Sequence, residues 1–113
     1  MTITVATLKD ATAQQVYNQV REHLLAQGQK SATSMGCRYR TGSLSCAAGC
    51  LIGVDEYSRA MEGNNWNTLV EEGQVHSEHA ELIRDLQRIH DGVRACEWAE
   101  HLAYVAVDHG LQA

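Results

Sequence analysis

The stretch at residues 37–57 reads CRYRTGSLSCAAGCLIGVDEY and decides the fold of this chain. It contains three of the four cysteines and, with Gly36, four of the nine glycines. It carries no acidic residue before Asp55, and amphipathic helical patterns lie on both sides of it. We therefore interpret this stretch as the structured centre of a single domain.

The first half of the stretch predicts a β-hairpin. Apolar and sulfur-bearing side chains alternate there with polar ones, and Gly42 stands where a tight turn is needed. The predicted inner face carries Cys37, Tyr39, Leu44 and Cys46. Arg38 and Arg40 fall on the opposite face, which we expect to point outward.

The run AAGCLI at residues 47–52 is continuously apolar and predicts one or two helical turns packed under the hairpin. Gly49 lies inside this run, where a glycine costs about 1 kcal/mol relative to alanine in an exposed helix. We therefore expect that close backbone packing requires a glycine at this position.

The flanking sequence predicts three substantial helices, because apolar residues recur there every three or four positions. The first begins at residue 10 or 12 and ends at residue 27, and the other two cover residues 77–92 and 95–109. Gly28 supplies the stop of the first helix, and Ser77 is the expected N-cap of the second. Cys96 falls on the predicted buried face of the third.

The remaining segments predict short elements. Residues 2–8 fit a short edge strand or an extended lead-in, and residues 29–36 fit a loop. Residues 55–61 and 66–72 predict short helices. The whole pattern predicts one compact α+β domain spanning residues 1–113, with about three main helices and a small antiparallel β-hairpin.

Composition and net charge limit the classes of function that fit this chain. Of 113 residues, 44% are hydrophobic and 20% are charged, which is typical of a globular domain. The net charge of −5 disfavours attraction to nucleic acid or to an anionic membrane surface. The N-terminus has no signal-peptide pattern, and no run approaches the roughly 18 apolar residues of a membrane span. We expect a cytoplasmic protein with reduced cysteines.

The four cysteines and six histidines raise the question of a zinc site. Cys46 and Cys50 would share one face of a helix, and His76 and His79 offer a second pair. All four together form the runner-up metal site. Because both cysteines fall on an apolar stripe, where a thiol acts as a small hydrophobe, we expect no cofactor and keep zinc as the alternative.

A thiol-dependent enzyme would need a cysteine activated by a nearby base. His90 followed by Asp91 offers a base and its orienting carboxylate, and Cys46, Cys50 or Cys96 could supply the thiol. None of these cysteines lies in a catalytic signature. A histidine at a helix C-terminus also interacts well with the helix dipole, and we favour that interpretation of His90.

The best candidates for recognition of a ligand are Arg38, Tyr39, Arg40 and Trp66. Residues 29–54 carry three basic residues and no acid, whereas residues 55–81 carry seven acids. A small positive surface on an acidic chain could bind a phosphate, a nucleotide or an acidic protein. The tryptophan follows the polar run GNN, which predicts an exposed loop. In the alternative, the arginines pair with the chain's own Asp55, Glu56 or Glu62.

Several short motifs in a fixed order cover most of the chain. They are HLLAQGQKS at 23–31, CRYR at 37–40, CAAGCLI at 46–52, DEY at 55–57, LQRIHD at 86–91, CEW at 96–98 and VAVDHGL at 105–111. This order resembles that of a family of small uncharacterised proteins in tailed phages and prophages. The resemblance implies a compact protein of the host cytoplasm that occupies a surface of a host or phage protein.

We therefore expect a small phage-type accessory protein that acts by protein–protein interaction, in host takeover or as a counter-defence inhibitor. The first alternative is a metal- or thiol-dependent enzyme or a zinc-stapled domain, although no motif names a reaction. A weaker alternative is nucleotide or nucleic-acid binding at the basic hairpin, where affinity would fall steeply with salt.

Overall fold

Three long α-helices form the frame of the molecule, as the sequence predicts. The computed structural model describes residues 2–113, and Met1 lies outside the described residues. Its α-helices are α1 (Ala13–Gln27), the short α2 (Trp66–Glu71), α3 (Ala80–Gly92) and α4 (Trp98–Asp108). The three long helices all pack on one another, and two small antiparallel sheets complete an α+β domain. Within residues 2–113, every helix is too short or too polar to cross a membrane.

Helix α1 begins and ends where the sequence predicts. The Thr12 side chain accepts the N–H of Gln15, and the Gln15 side chain accepts the N–H of Thr12, which forms a capping box. Gly28 follows the last turn at a φ of 67°, a left-handed conformation that costs glycine least. The buried side chains of α1 are Val16, Tyr17, Val20 and Leu24.

The two sheets are smaller and more numerous than predicted. Strands β3 (Arg40–Thr41) and β4 (Leu44–Ser45) form the expected hairpin around Gly42. Residues 29–36, predicted as a loop, instead supply β1 (Ala32–Thr33) and part of β2 (Gly36–Cys37), which pair with each other. The loop prediction is therefore wrong there.

The predicted inner face of the hairpin is correct in part. Tyr39 and Cys46 are buried, and Leu44 is half-buried. Cys37 is exposed. It pairs with Ala32 in the other sheet, so it lies outside the β3–β4 hairpin and its inner face.

The run AAGCLI packs under the hairpin as a 3-10 turn, Gly49–Leu51. Its neighbours Ala47, Ala48 and Ile52 are buried as well. A Cβ atom on Gly49 would overlap the carbonyl oxygen of Tyr39. The expectation that close backbone approach requires this glycine is confirmed.

The N-terminal segment forms a 3-10 helix, Val5–Asp10, and the predicted edge strand is wrong. The Glu56 carboxylate explains the difference. It accepts the N–H groups of Val5 and Ala6 at 2.9 Å and the N–H of Gly53 at 2.7 Å. A carboxylate suits the exposed N–H groups at a helix N-terminus, but this one lies 50 positions from Ala6 in the chain.

We expect Glu56→Gln to lower the free energy of unfolding by about 2 kcal/mol at neutral pH, because charged acceptors bond N–H groups more strongly than amides do. Burial alone would raise the pKa of Glu56, but the N–H groups of Gly53, Ala6 and Val5 outweigh it and hold the pKa below 4.5. The stabilisation is therefore complete above the unfolded pKa and is lost as the pH falls through the folded pKa.

Urea unfolding of wild type and Glu56→Gln at about pH 7 and about pH 3 checks this expectation, since the linkage predicts a smaller difference at the lower pH. Glu78→Gln is the matched control, because that glutamate is exposed. A difference between wild type and Glu56→Gln that stays constant with pH would contradict the assignment.

The remaining helix boundaries differ from the predictions by a few residues. Helix α3 begins after His79, which has a φ of 63°, so Ser77 is not its N-cap. The predicted helix at residues 55–61 shrinks to a 3-10 turn at Arg59–Met61. Cys96 lies in a 3-10 turn before α4 and is exposed, which corrects its predicted burial.

Candidate functional site

A groove of about 390 Å³ opens between residues 37–39, the loop at residues 62–65 with the start of α2, and helix α3. Its lining includes the buried side chains of Tyr39, Cys46 and Trp66. The volume lies within the usual range for small-ligand sites, so the groove can hold one or two side chains of a partner.

Three arginines line this groove, and we call it the arginine groove. Arg38 lies just after β2, while Arg84 and Arg88 lie one turn apart on α3. Arg88 is within 3.7 Å of Asp85, and Arg84 forms no ion pair within residues 2–113. On a chain with a net charge of −5, this is a local concentration of positive charge.

Glu62 braces one wall of the arginine groove. Its carboxylate accepts the backbone N–H of Tyr39 at 2.9 Å and that of Arg40 at 3.2 Å. It also accepts the hydroxyl of Tyr57 at 2.6 Å and lies 3.8 Å from the guanidinium of Arg38. Glu62 therefore ties β3 to the loop that follows Ile52.

The structure places the four predicted recognition residues in different environments. Tyr39 is buried and donates its hydroxyl to the carbonyl of Asn64 at 2.7 Å. Arg40 donates to the carbonyl of Ile52 at 2.6 Å, and its guanidinium lies 5.4 Å from the centre of the Tyr57 ring. The internal contacts of Arg40 correct the expectation that it points outward.

Trp66 also differs from its prediction. It is the first residue of α2, and it is 3% exposed, so it does not lie in an exposed loop. Arg38 has a side chain that is 37% exposed, and it is more accessible than the buried Tyr39 and Trp66. The groove thus brings together Arg38, Tyr39 and Trp66, and the guanidinium of Arg40 turns toward Tyr57.

The walls of the groove are short of hydrogen-bond acceptors. Three enclosed side-chain nitrogens have no partner among residues 2–113, namely Nε of Arg38, Nε of Arg40 and Nε1 of Trp66. All three are donors, and two belong to residues that line the groove. A buried donor without an acceptor costs about 1 to 3 kcal/mol.

Cys37, His90 and Asp91 meet at one end of the groove, with their ligand atoms within 4.8 Å of one another. His90 is fully buried at the end of α3, and its ring stacks on that of Trp98 at 5.6 Å. In the part of the chain that the structure describes, this is the one cluster of three such residues close enough to hold a metal ion.

Hydrogen bonding fixes the protonation of the His90 ring. The backbone N–H of Ser31 donates to Nε2 at 2.9 Å, so Nε2 carries no proton. Nδ1 therefore carries the proton and donates it to Asp91 at 2.7 Å. Because both nitrogens are used, the ring offers no lone pair to a metal ion or to the Cys37 proton. The donor set therefore fits a structural role.

The same carboxylate keeps the Cys37 thiol protonated. Partial burial raises the pKa of Cys37, and a hydrogen bond to Asp91 with the charge of that carboxylate raises it further. Burial alone would raise the pKa of Asp91, but hydrogen bonds from His90, Cys37 and Gln87 hold it below its ordinary value. A nucleophilic thiol needs the opposite electrostatic environment.

We expect Asp91→Asn to speed alkylation of Cys37 by iodoacetamide severalfold at neutral pH, because removing the charge lowers the thiol pKa. The rate for each cysteine can be read by mass spectrometry of tryptic peptides over a range of pH. Alkylation of Cys96, which is exposed and lies outside the Cys37–His90–Asp91 cluster, serves as the internal control. An unchanged pH profile for Cys37 would contradict the electrostatic explanation.

The runner-up metal residues do not converge within residues 2–113. Burial raises the pKa of Cys46 to about 12, and burial also raises the pKa of the Cys50 thiol. His79 is hydrogen-bonded to the carbonyl of Ala11 at 2.7 Å, whereas His76 is exposed. Neither cysteine is a ready thiolate donor, which agrees with the interpretation of Cys46 as a small buried hydrophobe.

The sequence analysis does not identify Arg84 and Arg88 as site residues. Both fall on the solvent-exposed face of the predicted helix, where charged side chains are ordinary. One signal was present. Like charges four positions apart on a helix face repel each other and destabilise the helix. Such a pair therefore indicates a role for these side chains other than stabilising the helix.

The groove residues are distributed over the segment around β2, the loop before α2, the start of α2, and α3, and no single motif contains all of them. The resemblance to phage proteins stays a prediction. Comparison with protein-family models, with curated proteins and with solved structures finds no match to this chain.

Proposed function

We propose that this protein is a binding protein that holds an acidic segment of another protein in the arginine groove. The observation that carries the proposal is the convergence of Arg38, Arg84 and Arg88 on one concave surface of an acidic chain. Guanidinium groups bind carboxylates through paired, charge-assisted hydrogen bonds, which are stronger than neutral ones.

The geometry supports binding better than catalysis. The Cys37 thiol lies beside a carboxylate that keeps it protonated, and His90 has both nitrogens in internal hydrogen bonds. A Cys–His nucleophile would need an unoccupied imidazole nitrogen facing the thiol. This arrangement therefore favours the interaction protein over the thiol-dependent enzyme.

The proposed partner is a host or phage protein in the host cytoplasm. The order of motifs resembling small phage proteins supports this choice, and such proteins commonly act by covering a surface of their target. A chain with a net charge of −5 repels most acidic surfaces. Attraction to an acidic patch on the partner is therefore confined to the groove.

Capture experiments with charge-matched variants test the proposal. Immobilised wild type is compared with Arg84→Gln/Arg88→Gln and with the control Arg59→Gln/Arg94→Gln, whose arginines lie on other exposed segments. Each double variant removes two positive charges, so a difference between them reports the groove and not the net charge.

We expect partners from host and infected lysates to be retained by wild type and by the control, and lost by at least about tenfold from the groove variant. Circular dichroism confirms that both variants fold. Equal recovery of every partner by the two variants would overturn the proposal.

A further inference from the structure

We propose that the arginine groove is built to take a single carboxylate of the partner, from an aspartate or glutamate side chain or from a chain terminus. This inference rests on the proposed function and names the chemical group that the groove recognises.

The charges of the side chains that line the groove determine how much negative charge a ligand can bring. Three guanidinium groups, those of Arg38, Arg84 and Arg88, share the groove with the carboxylates of Glu62 and Asp91. Glu62 lies 3.8 Å from Arg38 and Asp85 lies 3.7 Å from Arg88, which leaves the guanidinium charge of Arg84 without an ion pair within residues 2–113. A carboxylate neutralises that charge, whereas a phosphate dianion would add a second negative charge close to two carboxylates.

The two carboxylates of the groove already accept hydrogen bonds from within the protein. Glu62 receives two backbone N–H groups and the Tyr57 hydroxyl. Asp91 receives the His90 ring N–H and the side-chain amide of Gln87, both at 2.7 Å. A ligand therefore gains little by bringing hydrogen-bond donors.

The donors of the groove are not all occupied. The Arg84 guanidinium belongs to an exposed residue and has no ion pair within residues 2–113. Two oxygen atoms on one carbon match the spacing of guanidinium N–H groups, and this geometry favours a carboxylate over a neutral amide.

The groove also offers contacts to the chain on either side of a carboxylate. Asn64 and Asn67 present side-chain amides that can bond a partner's backbone, and the lining includes the aromatic side chain of Tyr39. We therefore expect the carboxylate to come with at least one apolar neighbour in an extended segment.

Selection from a library of random heptapeptides displayed on a carrier tests the inference, with the full-length protein immobilised as bait. The expected consensus contains one Asp or Glu next to an apolar residue, or ends in a free carboxyl group. Synthetic peptides of that consensus are then measured by calorimetry against their Asn, Gln or C-terminal amide counterparts.

Removal of the carboxylate is expected to weaken binding by about tenfold or more. The same loss is expected for Arg84→Gln/Arg88→Gln, and little change for Arg59→Gln/Arg94→Gln. Competition distinguishes the two anion classes, since sodium acetate should displace the peptide at lower concentration than inorganic phosphate.

Several results would overturn the inference. They are failure to enrich any peptide, a consensus without an acid, equal binding of acid and amide peptides, and stronger competition by phosphate than by acetate. If partners in lysates are still lost from the groove variant, the proposed protein-binding function stands and only the carboxylate assignment fails.

Discussion

Gly49→Ala is expected to lower the free energy of unfolding by about 3 kcal/mol or more, which is the upper range for overpacking in a core. The new Cβ would overlap the carbonyl oxygen of Tyr39 and lie 3.3 Å from the sulfur of Cys46. That carbonyl also accepts the N–H of Cys46 at 3.3 Å, so it cannot move without loss of a hydrogen bond. Both contacts join the hairpin to the turn beneath it.

Urea and thermal unfolding followed by circular dichroism measure this effect, and the melting temperature should fall by about 10 to 20 °C. Gly92→Ala is the matched control, because its Cβ would meet no atom within 4 Å among residues 2–113 and it ends a helix. That change should leave stability equal or raise it by up to about 1 kcal/mol. Equal stability of the two variants would contradict the packing account.

His90→Phe is expected to lower the free energy of unfolding by about 3 kcal/mol, although phenylalanine has a similar shape. The ring can still stack on Trp98, but the buried N–H of Ser31 loses its acceptor and Asp91 loses one of its donors. The expected cost is therefore polar in origin and independent of cavity formation.

Two measurements isolate this cause. The Ser31 amide proton should exchange with solvent much faster in the variant, as hydrogen exchange read by NMR reports. His101→Phe is the control, since His101 makes an edge contact with Tyr104 but no side-chain hydrogen bond within residues 2–113. It should change stability by less than about 0.5 kcal/mol. Slow exchange at Ser31 in His90→Phe would contradict the assignment.

The sequence was most informative where local chemistry decides the backbone. The capping box at Thr12, the left-handed Gly28 and the tight turn at Gly42 each depend on residues within a few positions. Gly49 could be predicted as well, because a glycine in an apolar run costs helix stability unless packing requires it.

The sequence was least informative where a distant side chain decides the local structure. The 3-10 helix at Val5–Asp10 depends on Glu56, which lies 51 positions from Val5. The pairing of residues 32–33 with 36–37 places Ser31 on His90, and these two residues are 59 positions apart. Local sequence propensity does not depend on such distant residues, so it cannot predict these contacts.

The site was predicted in part. Arg38, Tyr39 and Trp66 are predicted recognition residues and do line one groove, but Trp66 is buried where an exposed loop is predicted, because burial depends on what packs above a residue. Arg84 and Arg88 lie on the exposed face of α3. What periodicity cannot show is that this face borders a concave surface.

The hydrogen bonds made by the Glu62 carboxylate affect the rates at which a partner associates and dissociates. Its carboxylate fastens two amides of the hairpin and the Tyr57 phenol, so one wall of the groove is preorganised in the free protein. A partner then avoids an entropic cost of about 1 kcal/mol for each residue that it would otherwise have to order. We expect near rigid-body docking, in which changes to the partner's side chains alter residence time more than the rate of encounter.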